Sequence, residues 1–221
     1  MISVLICSRN RASSLRQTLE AVFSQPTSVD YEIVVVDNGS TDGTPHVVEK
    51  FISQYPDSVR YHFEAHPGLS QARNSGLKVV RGDIIAFTDD DVLVAENWLD
   101  EIHKEFANDQ KLGVLVGRVL LASAELQPVG IQESLDERTF DSAEHAVESA
   151  YNTVIGANMA FRREVFEQCG DYDVRLGAGR FFAACEDLDM ACRAMKAGYR
   201  MKYAPNVVVY HNHDRVSRKQ A

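Results

Sequence analysis

The chain has 221 residues, 45% of them hydrophobic, enough to build one sizeable core and consistent with one domain. Its 23 basic residues stand against 32 acidic ones, and the net charge of −9 excludes the broad basic face that nucleic-acid binding needs. No apolar run approaches the roughly 20 residues required to span a bilayer, so membrane contact is expected to be peripheral at most, at the inner face.

No charged and apolar leader opens the chain, and Cys7, Cys169, Cys185 and Cys192 show no CxxC spacing. Cytoplasmic, reduced and buried cysteines are the expectation. The basic residues Arg215, Arg218 and Lys219 read as solvated charges of a tail.

Short apolar runs alternate with amphipathic stretches, the pattern of βαβ units building a mostly parallel sheet. The first strand is predicted over Ile2 to Cys7, followed by a helix whose stripe is Leu15, Leu19, Val22 and Phe23. A second strand, Tyr31 to Val36, precedes a helix after Thr44 with Pro45 at its first position and Val47, Val48, Phe51 and Ile52 facing inward. Then come a strand Val59 to Phe63, a helix from Leu69 to Val80, a strand Asp83 to Phe87 and a helix from Glu96 to Phe106. After an apolar run Val114 to Leu121, the acidic stretch from Gln127 to Glu148 has no clear period and reads as a variable insertion or mobile loop. Order returns with Val154 to Phe161, a short helix around Glu164 to Gln168, a glycine-rich loop at Gly177 and Gly179, and a helix beginning near Glu186. Two strands, Met201 to Tyr203 and Val207 to Tyr210, close the domain.

Polar residues cluster where the first, second and fourth strands end, the edge at which open α/β sheets bind ligands. The segments are CSRNR (Cys7 to Arg11, with Ser8 and Asn10), VVDNGSTDGT (Val35 to Thr44, with Asp37 and Asn38) and FTDDDV (Phe87 to Val92). Three adjacent carboxylates, Asp89, Asp90 and Asp91, repel one another unless a cation or basic groups compensate them. Hard divalent ions such as Mn²⁺ or Mg²⁺ take such oxygens together with substrate phosphates. Alternation along an extended chain turns Asp89 and Asp91 to one face and Asp90 away from it. An acidic solvated turn is the bland reading of the same residues.

Asp37 at a strand terminus is either a turn cap or an acceptor for a base or ribose. Arg73, on the predicted third helix, is a surface charge or the cation that holds a phosphate or orders the three aspartates. Near the start of the last helix, Asp189 and Arg193 have ion-pair spacing, while Glu186 and Asp187 are placed for capping. His211 ends the final strand, with His213 two residues on, and becomes a plausible third ligand beside a carboxylate metal site.

In order, the segments ISVLICSRNR, EIVVVDNGSTDGT, GLSQARNSGL, IIAFTDDDV, GANMAFRREVF, CEDLDMACR and YAPNVVVYH resemble family 2 glycosyltransferases of the GT-A fold across nearly the whole chain, outside residues 122–150. The resemblance implies an α/β GT-A fold: a Rossmann-like, mostly parallel central sheet flanked by helices, with a smaller acceptor-side part. It implies a nucleotide-binding half over residues 1–121, a variable loop over 122–150 and an acceptor and catalytic half over 151–221. It further implies Asp37 on the nucleobase, Asp89 toward the ribose, Asp91 and His211 on the metal, Arg73 on the nucleotide or a phosphate, and Asp187 as the base. One departure is Arg9, where the family more often carries an aromatic residue before Asn10.

The activity implied is inverting transfer of a sugar from a nucleotide-diphosphate sugar, first of all a UDP-sugar, to a hydroxyl of a glycan or lipid-linked acceptor, assisted by Mn²⁺ or Mg²⁺. The loop Leu176 to Arg180 is expected to close over the bound donor. Family members often continue past the final motif into acceptor-binding or membrane-associating segments, so a chain ending at Ala221 is short for the family. A sugar-nucleotide pyrophosphorylase would need a glycine-rich loop after the first strand, and CSRNRASS has no glycine. A dehydrogenase would need GxGxxG, which is missing. A degenerate nucleotide- or carbohydrate-binding module is disfavoured because the carboxylates a transferase needs are intact.

Overall fold

A computed structural model describes residues 1–141 and 143–213. The basic tail residues Arg215, Arg218 and Lys219 lie outside the described residues. The elements are β1 (Ile2–Ser8), α1 (Ala12–Phe23), β2 (Tyr31–Asp37), α2 (Thr44–Gln54), β3 (Val59–Phe63), α3 (Leu69–Leu77), β4 (Ile84–Asp89) and β5 (Val92–Val94). They continue with α4 (Trp98–Asn108), β6 (Leu112–Leu121), β7 (Arg138–Phe140), α5 (Ala146–Tyr151), β8 (Asn158–Arg162), α6 (Arg163–Cys169), α7 (Glu186–Lys196) and β9 (Arg200–His211).

Among the described residues these strands form one sheet in the order β3-β2-β1-β4-β8-β6-β9-β5, with β7 paired to β9. Strands β1, β2, β3, β4, β6 and β9 run one way and β5, β7 and β8 the other. The carboxyl ends of β1, β2, β4 and β9 therefore share one edge.

Both faces of the sheet are covered, which is why its strands read as near-continuous apolar runs. In β1 and β2, Ile2, Val4, Ile6, Ile33 and Val35 pack on one side with Leu15, Leu19 and Trp98. Their neighbours Leu5, Val34 and Val36 pack on the other side with Ala72, Met190 and Tyr203. This period-two split follows from the pleat. In α2, Val48 and Phe51 are buried, and Val47 and Ile52 pack partly against the same cluster.

Three expectations are corrected. The acidic stretch holds β7, which pairs with Met201 to Tyr203 of β9, and the start of α5, whose Ala146 and Ala150 are buried. These pieces are too short to show a hydrophobic period. The two closing strands are one: β9 continues through an irregularity where Gly117 faces Ala204 and Arg118 faces Val208. Pro205 in the intervening residues has no N–H for the ladder, and the irregularity accommodates it. Finally, α3 ends at Leu77 rather than Val80.

Gly117 sits at this irregularity under a polar clasp. Asn158 Nδ2 donates to the Arg118 and Val207 carbonyls at 2.9 Å each, and Trp98 Nε1 donates to Asn158 Oδ1 at 2.9 Å. A Cβ on Gly117 would fall against Asn158 Nδ2 and the Val207 carbonyl oxygen, neither free to retreat. Gly117→Ala is therefore expected to lower stability by about 1–3 kcal/mol, the usual scale of overpacking, read as a shift in the denaturant midpoint. An unchanged midpoint would mean that the clasp is loose.

Candidate active site

The loops after β1 and β2 are fastened to each other. Asn10, at φ 55, donates its N–H to Ser40 Oγ at 3.0 Å, and its Oδ1 accepts the Thr41 N–H at 2.7 Å. Asp42 accepts from the N–H groups of Ala12 at 3.1 Å and Thr44 at 2.9 Å, serving the starts of both α1 and α2. Asn38 donates to the Glu64 and His66 carbonyls at 3.1 and 2.8 Å and accepts the Gly68 N–H at 2.8 Å. Asp37 is 0% exposed, with Oδ1 accepting the Ser40 N–H at 2.8 Å and Oδ2 the Tyr61 hydroxyl at 2.7 Å. Each oxygen keeps acceptor capacity, but at 0% exposure a base can reach this carboxylate only if the residues covering it move.

Beside these loops lies a cleft of about 230 Å³ lined by Ser8, Arg9, Arg11, Asn38, Gly68 and Asp90, among others. Ser8 Oγ donates to Asp90 Oδ2 at 2.6 Å. Asp90 therefore faces this cleft, whereas Asp89 lies with Asp91 and His211. One oxygen each of Asp89 and Asp91 and one ring nitrogen of His211 lie within 4.8 Å of one another. What brings His211 there is β5, in which Val92 pairs with His211 and Val94 with Val209.

His211 Nε2 is 3.2 Å from Asp91 Oδ1, and Arg11 Nη1 is 2.5 Å from Asp91 Oδ2 and 3.6 Å from Asp90 Oδ1. Burial pushes Asp90 up to about 7, with Ser8 and Arg11 opposing and the neighbouring carboxylates adding. Burial likewise raises Asp89. For Asp91 burial acts the same way, but His211 and Arg11 outweigh it and hold the carboxyl below its usual range. Burial opposes the charged form of His211, yet Asp91 and Asp89 raise it above its ordinary value. His213 is outside this group, with its Nε2 3.0 Å from the Gln127 carbonyl.

Arg73 is neither a surface charge nor exposed in the cleft. It is 4% exposed, its Nη1 donates to Glu186 Oε1 at 2.9 Å, and its guanidinium lies 5.6 and 5.4 Å from the ring centroids of Phe87 and Tyr172. Its neighbour Asn74 exchanges hydrogen bonds with the Tyr172 backbone at 2.8 and 2.9 Å. The third helix so ties the strand-end loops to the start of α7.

That start is set by Cys185 at φ 74, a left-handed residue that places Glu186 and Asp187 in the first turn. Gly156 backs them, since a Cβ there would come 2.8 Å from Asp187 Oδ2 and 3.1 Å from Arg73 Nη2. Asp189 pairs with Arg193 at 2.8 Å. The Leu176 to Arg180 loop is already seated: Leu69 N–H donates to the Ala178 carbonyl at 3.0 Å and Ser70 Oγ to the Leu176 carbonyl at 2.7 Å. The cysteines are free, but Cys185 is exposed, correcting the expectation that all four are buried; Cys192 is buried and the other two are partly so.

Residues 3–170 match the model of Glycosyl transferase family 2. The chain belongs to that family. It is 31% identical over 216 residues to the glycosyltransferase AglE of Haloferax volcanii, covering 95% of this chain and 66% of AglE. It is 27% identical over 215 residues to the pre-mycofactocin glycosyltransferase of Mycobacterium tuberculosis, covering 96% of this chain but 43% of that protein. The mannosyltransferase PcManGT of Pyrobaculum calidifontis, solved in complex with GDP-Man and Mn²⁺, superposes with a TM-score of 0.69 at 25% identity over 96% of this chain and 56% of its own. The fold is GT-A, as expected.

Within this family 2 chain, sequence reasoning missed Tyr61, Asp42 and Gly156. Tyr61 lies on β3 with no motif around it, and Asp42 shows its double capping only once two helix starts meet. Gly156 carried a signal in GANMAF, a glycine just before a strand next to the sheet's carboxylate edge.

Asp37→Ala removes the acceptor for both Tyr61 and the Ser40 N–H, and loss of stability of about 1–3 kcal/mol is expected from the groups left unpaired, measured by chemical denaturation. Unchanged stability with weakened nucleotide binding would instead make Asp37 a direct ligand.

Proposed function

We propose that this protein transfers a sugar, with inversion, from a nucleotide-diphosphate sugar to a hydroxyl of a glycan or lipid-linked acceptor. The observation that carries this reading is the convergence of Asp89, Asp91 and His211 beside the Ser8, Arg9 and Asp90 cleft. Two carboxylates and an imidazole suit a hard or borderline divalent ion, Mn²⁺ or Mg²⁺. Asp91, His211 and Asp89 would hold it. Such an ion supplies neutralisation of the diphosphate leaving group.

The chain's own residues would divide the remaining work. Ser8, Asn38 and Asp90 shape the nucleoside side of the cleft, while Asn10 and Asp37 brace the loops that form it. Arg73 holds Glu186, and through it the start of α7, so that Asp187 keeps its place on the carboxylate edge. The acceptor hydroxyl oxygen attacks the anomeric carbon and forms the new glycosidic bond as the bond to the diphosphate oxygen breaks. Its proton passes to the Asp187 carboxylate, and the nucleoside diphosphate leaves. One displacement inverts the anomeric centre. We assign the nucleotide to residues 1–121 and the acceptor to residues 151–221, with 122–150 covering the join. UDP- and GDP-linked sugars are the first donors to test. Among the described residues no helix is long and apolar enough to cross a membrane.

Asp91→Asn is expected to abolish Mn²⁺-dependent nucleotide binding in calorimetry. Equal affinity of the unaltered protein for nucleotide in EDTA and in Mn²⁺ would remove the metal from the reading.

Asp187→Asn keeps the side chain's shape but cannot take a proton, so turnover should fall by roughly 10²-fold or more with donor affinity and melting temperature nearly unchanged. Since Asn caps a helix about as well as Asp, a fully active variant would show that the carboxylate only caps α7. Donor hydrolysis without acceptor, assayed with and without Mn²⁺, separates an enzyme from a binding module.

A further inference from the structure

Arg11 has no part in the reaction just described, yet it makes the shortest ion pair of the site. Its Nη1 lies 2.5 Å from Asp91 Oδ2, while His211 holds the other oxygen of the same carboxylate at 3.2 Å. Asp91, one of the three residues placed to hold a cation, therefore already carries one. A guanidinium stays protonated at any working pH, so a divalent ion approaching Asp91 meets a positive charge already seated on one of its two oxygens.

The backbone of Arg11 is pinned. Its N–H donates to Thr44 Oγ1 at 3.3 Å, and its carbonyl accepts from the Leu15 N–H at 2.9 Å and Ser14 Oγ at 3.2 Å. The side chain, paired with Asp91 and Asp90, is 42% exposed and stands on the boundary of two clefts. One is the cleft of about 230 Å³ with Ser8, Arg9 and Asp90. The other, of about 820 Å³, is lined by Ser13, Ser14, Gln17, Asn212 and His213 among others. A planar fork on a long stem, fixed at its root and bordering solvent at its tip, matches a diphosphate as well as it matches a carboxylate.

We propose that Arg11 is a placeholder cation. With the donor cleft empty it neutralises Asp91 and Asp90 and holds divalent-ion affinity down. When ion and nucleotide diphosphate arrive together, the ion takes the Asp91 oxygen and the guanidinium moves onto the diphosphate. Ion and nucleotide thereby tighten each other's binding, and the coupling is reciprocal. This inference rests on the metal reading of Asp89, Asp91 and His211.

The test is a set of calorimetric titrations with Mn²⁺ alone, UDP alone and each in the presence of the other. The protein is used unaltered and as Arg11→Met, Arg11→Lys and Asp91→Asn, with melting temperatures as a folding control. In the unaltered protein UDP should tighten Mn²⁺ by a factor within about 5 to 150, the usual range of coupling. Arg11→Met should bind Mn²⁺ alone more tightly and UDP in the presence of Mn²⁺ more weakly, so that the coupling falls toward one. Arg11→Lys keeps a cation without the fork and should leave Mn²⁺ affinity low while weakening UDP. Unchanged or weaker Mn²⁺ binding by a folded Arg11→Met overturns the inference, as does coupling that survives in it. If Arg11→Met does not fold, Arg11→Lys decides by the same two affinities, and Mn²⁺ binding by it tighter than in the unaltered protein, or UDP binding as tight as in the unaltered protein, overturns the proposal. Mn²⁺ binding by Asp91→Asn equal to that of the unaltered protein overturns the metal reading itself, a separate outcome.

Discussion

The arrangement depends on compensating negative charge at one edge of the sheet. Asp89, Asp90 and Asp91 leave β4 there, and the first turn of α7 brings Glu186 and Asp187 to the same region, where Asp187 acts on Asp89 through its charge. Taking carboxylates out of water is costly unless cations or donors meet them. Arg73 answers beneath the edge, His211 beside it and Arg11 above it. Arg73 is the most constrained of the three, being itself buried, and it lies over the rings of Phe87 and Tyr172. Much of the local backbone serves this one guanidinium. Gly156 leaves room beside it, Asn74 clamps Tyr172 next to it, and the left-handed Cys185 starts the helix that brings Glu186 to it.

The same constraint explains why two neighbouring aspartates differ so much. Asp90 and Asp91 are equally buried, at 7% exposure, so burial alone would treat them alike. Asp91 has a histidine and an arginine on opposite oxygens and stays below the usual range, whereas Asp90, with Ser8 as its close partner and Arg11 more distant, is pushed up to about 7. The order in which the carboxylates hold their charge is decided by partners supplied from β9 and the β1 loop.

What was legible in the sequence was whatever repeats with a period or sits at a strand end. The strands β1, β2 and β4 announced themselves as apolar runs because both sheet faces are covered there, β3 at the sheet edge by alternation, and the aspartates stood out as adjacent acids. What was not legible depends on residues brought together from far along the chain. Three-residue β5 has no pattern of its own, yet its register puts His211 beside Asp91. Met201 to Tyr203 and Val207 to Tyr210 read as two strands, but β9 continues past Pro205 through an irregularity in its ladder. Arg73 reads either as a surface charge or as a phosphate-holding cation, and nothing nearby in sequence shows that Glu186 will cover it. Asp37 reads either as a turn cap or as an acceptor, and its second partner Tyr61 is hidden because it comes from a different strand.

The sheet order also limits how the two halves of the chain act on each other. Strand β8, from the second half, lies between β4 and β6 of the first, and β9 pairs with β5, β6 and β7. Neither half has a complete sheet without the other, so no hinge between them can set the distance from Asp91 to His211. That distance is fixed by the ladder that pairs Val92 with His211, supported by the Asn212 N–H donating to the Asp91 carbonyl at 2.7 Å. Adaptation to a ligand must therefore come from side chains and loops above a rigid edge. The candidates differ in how tightly they are held: the 176–180 loop is bonded to the start of α3, while Phe181 and Phe182, which follow it in the chain, are 92% and 57% exposed. Rigidity on the carboxylate edge and exposure just before α7 are two outcomes of one topology, because the strands that carry the aspartates are interior to the sheet and the chain leading into α7 is not.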